Sequence, residues 1–249
     1  MRECYYDDQT FFAEYNAMRR CKEGPDRSGE WPTLIRMFPD LTDKRVLDLG
    51  CGYGRYSMYA AARGALQVLG IDASRRMIEK ATEGRIFENV EYKQMRIEDY
   101  TYPASSFDVV LSSLTLQYVE NLNPVFYNVY QTLDWHGTFV FTIEHPVFTA
   151  CEIQKEFYEQ KSNHWAVDDY FIEGKRETEA SGKRVVKYHH TLTSILQGLL
   201  QVGFSIKEVI EPQPTLNMID KIPEMRDELR RPMVLAISAV KGTSYNEQI

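Results

Sequence analysis

The chain has 249 residues, a formal net charge of −7 and 43% hydrophobic residues. That length holds one α/β domain with an insertion or two small lobes. The acidic balance argues against nucleic acid as the partner. No apolar run approaches the ~20 residues that a membrane-spanning helix needs, and the opening MRECYYDDQ is too polar and acidic for a signal peptide. Cys4, Cys21, Cys51 and Cys151 form no C-x-x-C and read as free thiols in a reducing cytoplasm. Composition therefore points to a cytoplasmic protein with neither a membrane nor a nucleic-acid partner.

Residues 1–39 lead into the first strand. Phe11, Phe12, Tyr15 and Met18 fall at helical spacing, Arg19-Arg20 close that pattern, and Gly24-Pro25 break it. The segment reads either as an amphipathic helix packed on a domain edge or as a lid over a ligand site. Pro39 to Lys44 is a turn. Then comes RVLDLGCGYGRYSMYAAARGALQVLGID, from Arg45 to Asp72. An apolar run enters Gly50, Gly52 and Gly54, a small-residue helical pattern follows, and a second apolar run ends on Asp72. This is one βαβ unit.

Glycines at that turn let the backbone bend sharply and let a ligand approach the main chain. The turn delivers its ligand to a helix N-terminus, where free N–H groups favour a carboxylate or another anion. Asp72, ending the second strand, can accept both hydroxyls of a ribose. The dinucleotide fingerprint G-x-G-x-x-G is not met, because position 55 is Arg. Asp48 lies inside the first strand. It reads either as an acceptor for turn N–H groups and a ligand ammonium, or as a brace for the glycine loop.

Ser74 is a good N-cap for a helix with Met77, Ile78 and Ala81 on its apolar face. Strands follow at Val90–Met95 and Phe107–Ser112, a helix at Pro124–Leu133, and a fifth strand at Gly137–Ile143. This alternation implies a parallel, doubly wound α/β sheet with helices on both faces. Residues 146–190 break the rhythm with Phe157, Tyr158, Trp165, Tyr170 and Phe171. Within them the polar EGKRETEASGKR reads as the turn region of a hairpin. The stretch reads as a substrate cap near the carboxyl edge of the sheet, against an ordinary long connection or a dimer surface. A helix over Thr191–Val202, closed by Gly203, a strand over Phe204–Ile210 and a last strand over Arg231–Ala239 complete the pattern. The expected division is 1–39 lid, 40–145 core, 146–190 cap, 191–241 second part of the core and 242–249 tail.

The pattern D-x-G-x-G-x-G from Asp48 to Gly54 resembles motif I of class I S-adenosylmethionine (SAM)-dependent methyltransferases. Asp72-Ala73-Ser74 with Met77 resembles that family's motif II, Ile97-Glu98-Asp99 its adenine-contacting loop, and Phe107 to Ser112 its fourth strand. Together these cover roughly residues 44 to 145 in the family's order. The resemblance implies a Rossmann-like, mostly parallel seven-stranded sheet ending in a long hairpin. It also implies SAM as cofactor, S-adenosylhomocysteine as product and a small-molecule acceptor. On it, the motif I turn (Gly50, Cys51, Gly52, Tyr53, Gly54) holds the cofactor, Asp99 meets the adenine amino group beside Ile97 and Glu98, and Ser112, Ser113 and Leu114 border the methionine. In many relatives an N-terminal Tyr and Arg meet the methionine carboxylate, which nominates Tyr15 and Arg19. The N/D-P-P-Y/F tetrapeptide of nucleic-acid amino-methyltransferases is replaced here by Ser112-Ser113-Leu114-Thr115, which favours a small acceptor.

Methyl transfer needs mainly orientation, so a general base is required only for a protonated acceptor. His145, just past the fifth strand, is the candidate base, against a reading as a capping histidine. Tyr118, Trp165, Tyr188 and His189 are the candidate substrate contacts. Tyr118 could instead pack, and Tyr188, His189 and His190 could merely cap the following helix. The histidines have no metal spacing. A nicotinamide-dependent oxidoreductase and a non-catalytic SAM-binding protein are the alternatives, and the chain would be a monomer or homodimer.

Overall fold

The computed structural model describes residues 4–17, 29–151, 165, 167–180 and 183–242. Helices α1 (Gln9–Ala17) and α2 (Trp31–Met37) precede β1 (Arg45–Leu49), α3 (Arg55–Ala62), β2 (Gln67–Asp72), α4 (Arg75–Glu83) and β3 (Val90–Gln94). Next come β4 (Phe107–Ser113), α5 (Leu122–Thr132), β5 (Leu133–Glu144) and the hairpin β6 (Gly174–Ala180) with β7 (Lys183–His189). The chain ends on α6 (Leu192–Val202), β8 (Phe204–Ile210), α7 (Leu216–Lys221) and β9 (Val234–Lys241). The main sheet has seven strands in the order β3-β2-β1-β4-β5-β9-β8. Only β9 runs against its neighbours β5 and β8; the other pairs are parallel. The expected Rossmann-like, mostly parallel seven-stranded architecture is the one observed.

Burial follows the pleat. Leu47 and Leu49 of β1 face Phe126 and Val129 of α5 and Ile195 and Leu199 of α6, all buried. Val46, one residue earlier, faces Ala60 and Ala61 of α3. With both faces covered, the central strands read as continuous apolar runs. Phe126, Phe139 and Phe141 are fully buried, and each such ring contributes about 1.5–3 kcal/mol by leaving water. Leu34 and Met37 of α2 close the end of the sheet on Val140 and Ala236.

Several boundaries differ from expectation. The fifth strand starts at Leu133, four residues early, because it pairs with Phe107 before a bulge between Phe107 and Val109. His136 takes a left-handed φ of 62° there. The last strand starts at Val234 instead of Arg231, since Pro232 has no N–H for the ladder. The polar stretch read as a turn is mostly strand: Gly174 to Ala180 pairs with His189 to Lys183, and only residues 181–182 fall between. Helices α2 and α7 had no counterpart in the expected elements. This hairpin is tied to the main sheet by an ion pair between Lys187 of β7 and Glu144 at the end of β5.

Candidate functional site

The carboxyl ends of β1, β2 and β4 open into one cavity of about 780 Å³, within the ~300–1,000 Å³ usual for small-molecule sites. The glycine turn forms one wall. The N–H groups of Gly50 and Cys51 both donate to Ile71 O, at 2.8 and 2.9 Å, and Gly52 N donates to Asp72 Oδ2 at 2.9 Å. Gly52 has φ 53°, and a Cβ built there would meet nothing within 4 Å, so its main chain is open to a ligand. Gly54 is tight instead. At φ 73° its added Cβ would lie 2.0 Å from the Tyr92 hydroxyl. It is the N-cap residue of α3 and provides no side-chain cap, which leaves that helix's first N–H groups without one.

Asp72 lines the cavity. Its Oδ1 accepts from Ser74 N at 2.8 Å. Burial raises its carboxyl to about 6, against the pull of the Ser74 and Gly52 N–H groups. Asp48 is 1% exposed and stands below the turn. Ser57 Oγ of α3 donates to its Oδ2 at 2.6 Å, and burial pushes its carboxyl to about 7. The turn N–H groups expected at Asp48 go to Asp72 and Ile71 instead, and Asp48 ties α3 to β1.

Cys51, Tyr53, Ala73, Ile97, Glu98, Ser113 and Leu114 line the same cavity as Gly50, Gly52 and Asp72. Leu114 sits at φ 49°, a strained conformation for leucine, pinned by its N–H on Thr142 Oγ1. Gly54, Ser74, Met77, Asp99 and Ser112 are not among the lining residues. Ser74 caps α4, accepting from Met77 N at 3.2 Å. Met77 is 2% exposed and packs in the core. Ser112 Oγ, fully buried, donates to Leu49 O. Arg19 lies outside the described residues, as does the side chain of Tyr15.

Of the acceptor candidates, Tyr118 and Tyr188 line the cavity, whereas His145, Trp165 and His189 do not. His145 is 5% exposed. Its Nδ1 accepts from Val147 N, capping the single helical turn Pro146–Thr149, and its Nε2 meets Glu211 Oε1 at 2.9 Å. Burial lowers its pKa, against the opposing pull of Glu211. The expected general base is thus a capping histidine. His189 is fully buried between Thr149 Oγ1 at 2.7 Å and Tyr170 O at 2.8 Å. His190 Nε2 donates to Val119 O. Trp165 stacks on Phe148, carries the Arg231 guanidinium over its ring at 4.0 Å from the centroid, and donates to Val147 O. His145, His190 and Trp165 thus tie the segment after β5 to Glu211, Val119 and Arg231, while His189 holds parts of that segment to one another. Among the described residues no cluster of His, Cys, Asp or Glu could hold a metal ion.

The sequence pointed to a lid at Tyr15 and Arg19, which the described residues leave untouched; within the described residues 4–17, Cys4, Tyr5 and Tyr6 line the cavity. Tyr5 Oη accepts from Val186 N of β7 at 3.1 Å. Tyr6 Oη lies 3.2 Å from Tyr118 Oη. Asp7 accepts from Ser74 Oγ at 2.7 Å and Arg76 N at 3.1 Å. This short strap thereby joins the hairpin, the turn after β4 and the start of α4. Its signal was two adjacent tyrosines before Asp7-Asp8, eclipsed by the longer helical pattern beyond. Glu30 and Trp31 at the start of α2, with Arg55 and Tyr56 at the start of α3, also border the cavity unforeseen.

A family profile described as a methyltransferase domain matches residues 47–141. The crystal structure of an S-adenosylmethionine dependent methyltransferase from Mesorhizobium loti is 37% identical, covers 88% of this chain and 100% of its own, and superposes with a TM-score of 0.80. A protein from Listeria monocytogenes assigned to the same class is 45% identical over 87% of this chain and 98% of its own, with a TM-score of 0.82. The ubiquinone biosynthesis O-methyltransferase of Neisseria meningitidis is 38% identical over 108 residues, 38% of this chain and 45% of that enzyme. No helix among the described residues is long and apolar enough to cross a membrane.

Proposed function

Because the chain belongs to the class I SAM-dependent methyltransferases, we propose that it methylates oxygen, nitrogen or carbon of a small-molecule acceptor. When bound, SAM supplies a methyl carbon on a positively charged sulfur that is already a good leaving group. The protein's part is then to bind, orient and exclude water. The observation that carries the reading is the turn after β1. Gly52 offers an open main chain, and its N–H fixes the Asp72 carboxylate at the same cavity wall. Asp72 would take the ribose hydroxyls, Ile97 and Glu98 would flank the adenine, and Ser113 and Leu114 would border the methionine. Residues 1–39 would act as lid and 146–190 as substrate cap.

A small acceptor is supported by the cavity's size, by the missing N/D-P-P-Y/F tetrapeptide, and by likeness to a relative named for ubiquinone biosynthesis. The test is calorimetric titration with SAM and S-adenosylhomocysteine, NADH alongside, then release of S-adenosylhomocysteine against a panel of small acceptors. Binding of the two sulfur nucleosides alone, followed by acceptor-dependent turnover, is expected. NADH binding in their place would overturn the reading.

A further inference from the structure

We propose that the acceptor is a small amine, held among Tyr6, Tyr118 and Tyr188 with Glu120 as its counter-ion; this rests on the methyl-transfer reading above. The cavity is lined by tyrosines from three separate elements: Tyr6 of the strap, Tyr118 of the turn after β4, and Tyr188 of β7. Tyr6 and Tyr118 meet edge to face, centroids 6.3 Å apart and planes at 86°. Their hydroxyls lie 3.2 Å apart, which fixes both rings as a right-angled corner. Tyr188 donates to Glu120 Oε2 at 3.5 Å, setting a carboxylate beside that corner. Ring faces carry negative potential and attract organic ammonium groups, and a nearby carboxylate adds to that field.

The cations at the cavity point the same way. Lys175, paired in register with Tyr188, donates to Glu177 at 2.5 Å, and Arg96 donates to Glu98 at 3.0 Å. Arg55 stands beside the glycine turn, directly after Gly54. A carboxylate or phosphate acceptor would therefore compete with Glu177 for the lysine on its side of the cavity. No described histidine lines the cavity, and both oxygens of Asp72, its carboxyl raised to about 6, already accept from Gly52 N and Ser74 N, so a phenol or alcohol would find no uncommitted base of that kind among the described lining residues to take its proton. An amine needs none in the cavity, because its own equilibrium with water supplies the free base.

The balance is complete on that chemistry. The bound ammonium first gives a proton to water; the nitrogen lone pair so freed forms the new N–C bond, the C–S bonding pair returns to sulfur, and the positive charge passes from sulfur to nitrogen. A secondary or tertiary ammonium product then loses its proton to water, beside exposed Glu120. The rings and the carboxylate favour positive charge on nitrogen as it develops.

The test uses the full chain with three probes that share one arene: 2-phenylethylamine, 2-phenylethanol and 3-phenylpropanoate. S-adenosylhomocysteine is titrated first, then each probe into the loaded protein. The amine is expected to bind about 10-fold tighter than the other two. Glu120→Gln should remove most of that margin and leave 2-phenylethanol unchanged. Tyr188→Phe, which keeps the ring, should cost the amine only a few-fold. Equal binding of the three probes, or preference for the alcohol or acid, overturns the amine assignment while leaving methyl transfer intact. So does an amine margin unmoved by Glu120→Gln. Failure of S-adenosylhomocysteine to bind overturns both.

Discussion

Asp72→Asn isolates the carboxylate at the end of β2. The native group accepts from Gly52 N through one oxygen and from Ser74 N through the other. It also faces the cavity where the ribose hydroxyls would lie. An asparagine keeps one acceptor and turns the other atom into a donor, so it opposes one of the two N–H groups. Leaving such a group unsatisfied costs about 1–3 kcal/mol of stability. Hydrogen bonds to a charged group contribute about 1.5–3 kcal/mol each, so two lost ribose bonds, partly replaced by neutral ones, weaken binding by about 2–4 kcal/mol. That is roughly 30- to 1,000-fold in Kd. The assay is calorimetry with S-adenosylhomocysteine, with Ser74→Ala as control. Ser74→Ala removes the cap of α4 and its bond to Asp7 but no cavity group, so it should lower stability with little change in Kd. A Kd for Asp72→Asn within about threefold of the native value would refute the ribose assignment.

Asp48→Asn should stabilise the protein above neutral pH. Burial lifts the Asp48 carboxyl from 3.8 to about 7, so the folded state holds that proton more tightly than the unfolded chain. Its contribution is therefore greatest at acid pH and is lost as pH rises from about 4 to about 7. Three units correspond to at most roughly 4 kcal/mol, and asparagine can still accept from Ser57. Denaturant unfolding at pH 8 should show a gain of at least about 1 kcal/mol that shrinks toward pH 4; destabilisation at pH 8 would contradict the account. His145→Gln should keep kcat/KM within about threefold and leave its pH profile in place, while lowering stability by about 1–3 kcal/mol through the lost cap and the Glu211 contact. A fall of a hundredfold or more would restore His145 as a catalytic group. Gly54→Ala should lower Tm by about 4–8 °C. Left-handed alanine costs about 1–2 kcal/mol, the Tyr92 hydroxyl must also move, and a chain of this size shifts about 2–4 °C per kcal/mol. An unchanged melting curve would show that the turn relaxes freely.

Much of the fold was legible because its signals are local. Val46, Leu47 and Leu49 of β1 mark a strand buried on both faces, whereas in edge strand β8 the alternation of Phe204 and Ile206 is broken by a register shift between Ile206 and Glu208. The misplaced boundaries share a cause of a different kind. Nothing near Leu133 marks it as the start of β5; its partner is Phe107, on a strand before the intervening helix. The lysine- and glutamate-rich β6 reads as a turn by composition. It is a strand because it pairs with β7, and its Arg176 is buried with the guanidinium on backbone oxygens of Ala150, Asp169 and Ile172.

The cavity divides along the same line. Its turn-side wall comes from the βαβ unit and the loops after β3 and β4, where motif spacing carries the information. The opposite wall is assembled from contacts across 112 residues, Tyr6 to Tyr118, and 181 residues, Tyr5 to Val186. Such pairs leave no trace in a single sequence. That is why the histidines drew attention: imidazole chemistry is visible in a residue name, whereas a cage of tyrosines exists only once the strap, the turn and the hairpin meet. The division suits the reaction. Every substrate-orienting demand on the SAM side is the same whatever the acceptor, so it can be met by a fixed local turn. On the proposed reading, recognition of the acceptor would fall to the distant segments, whose tyrosines can change without altering β1.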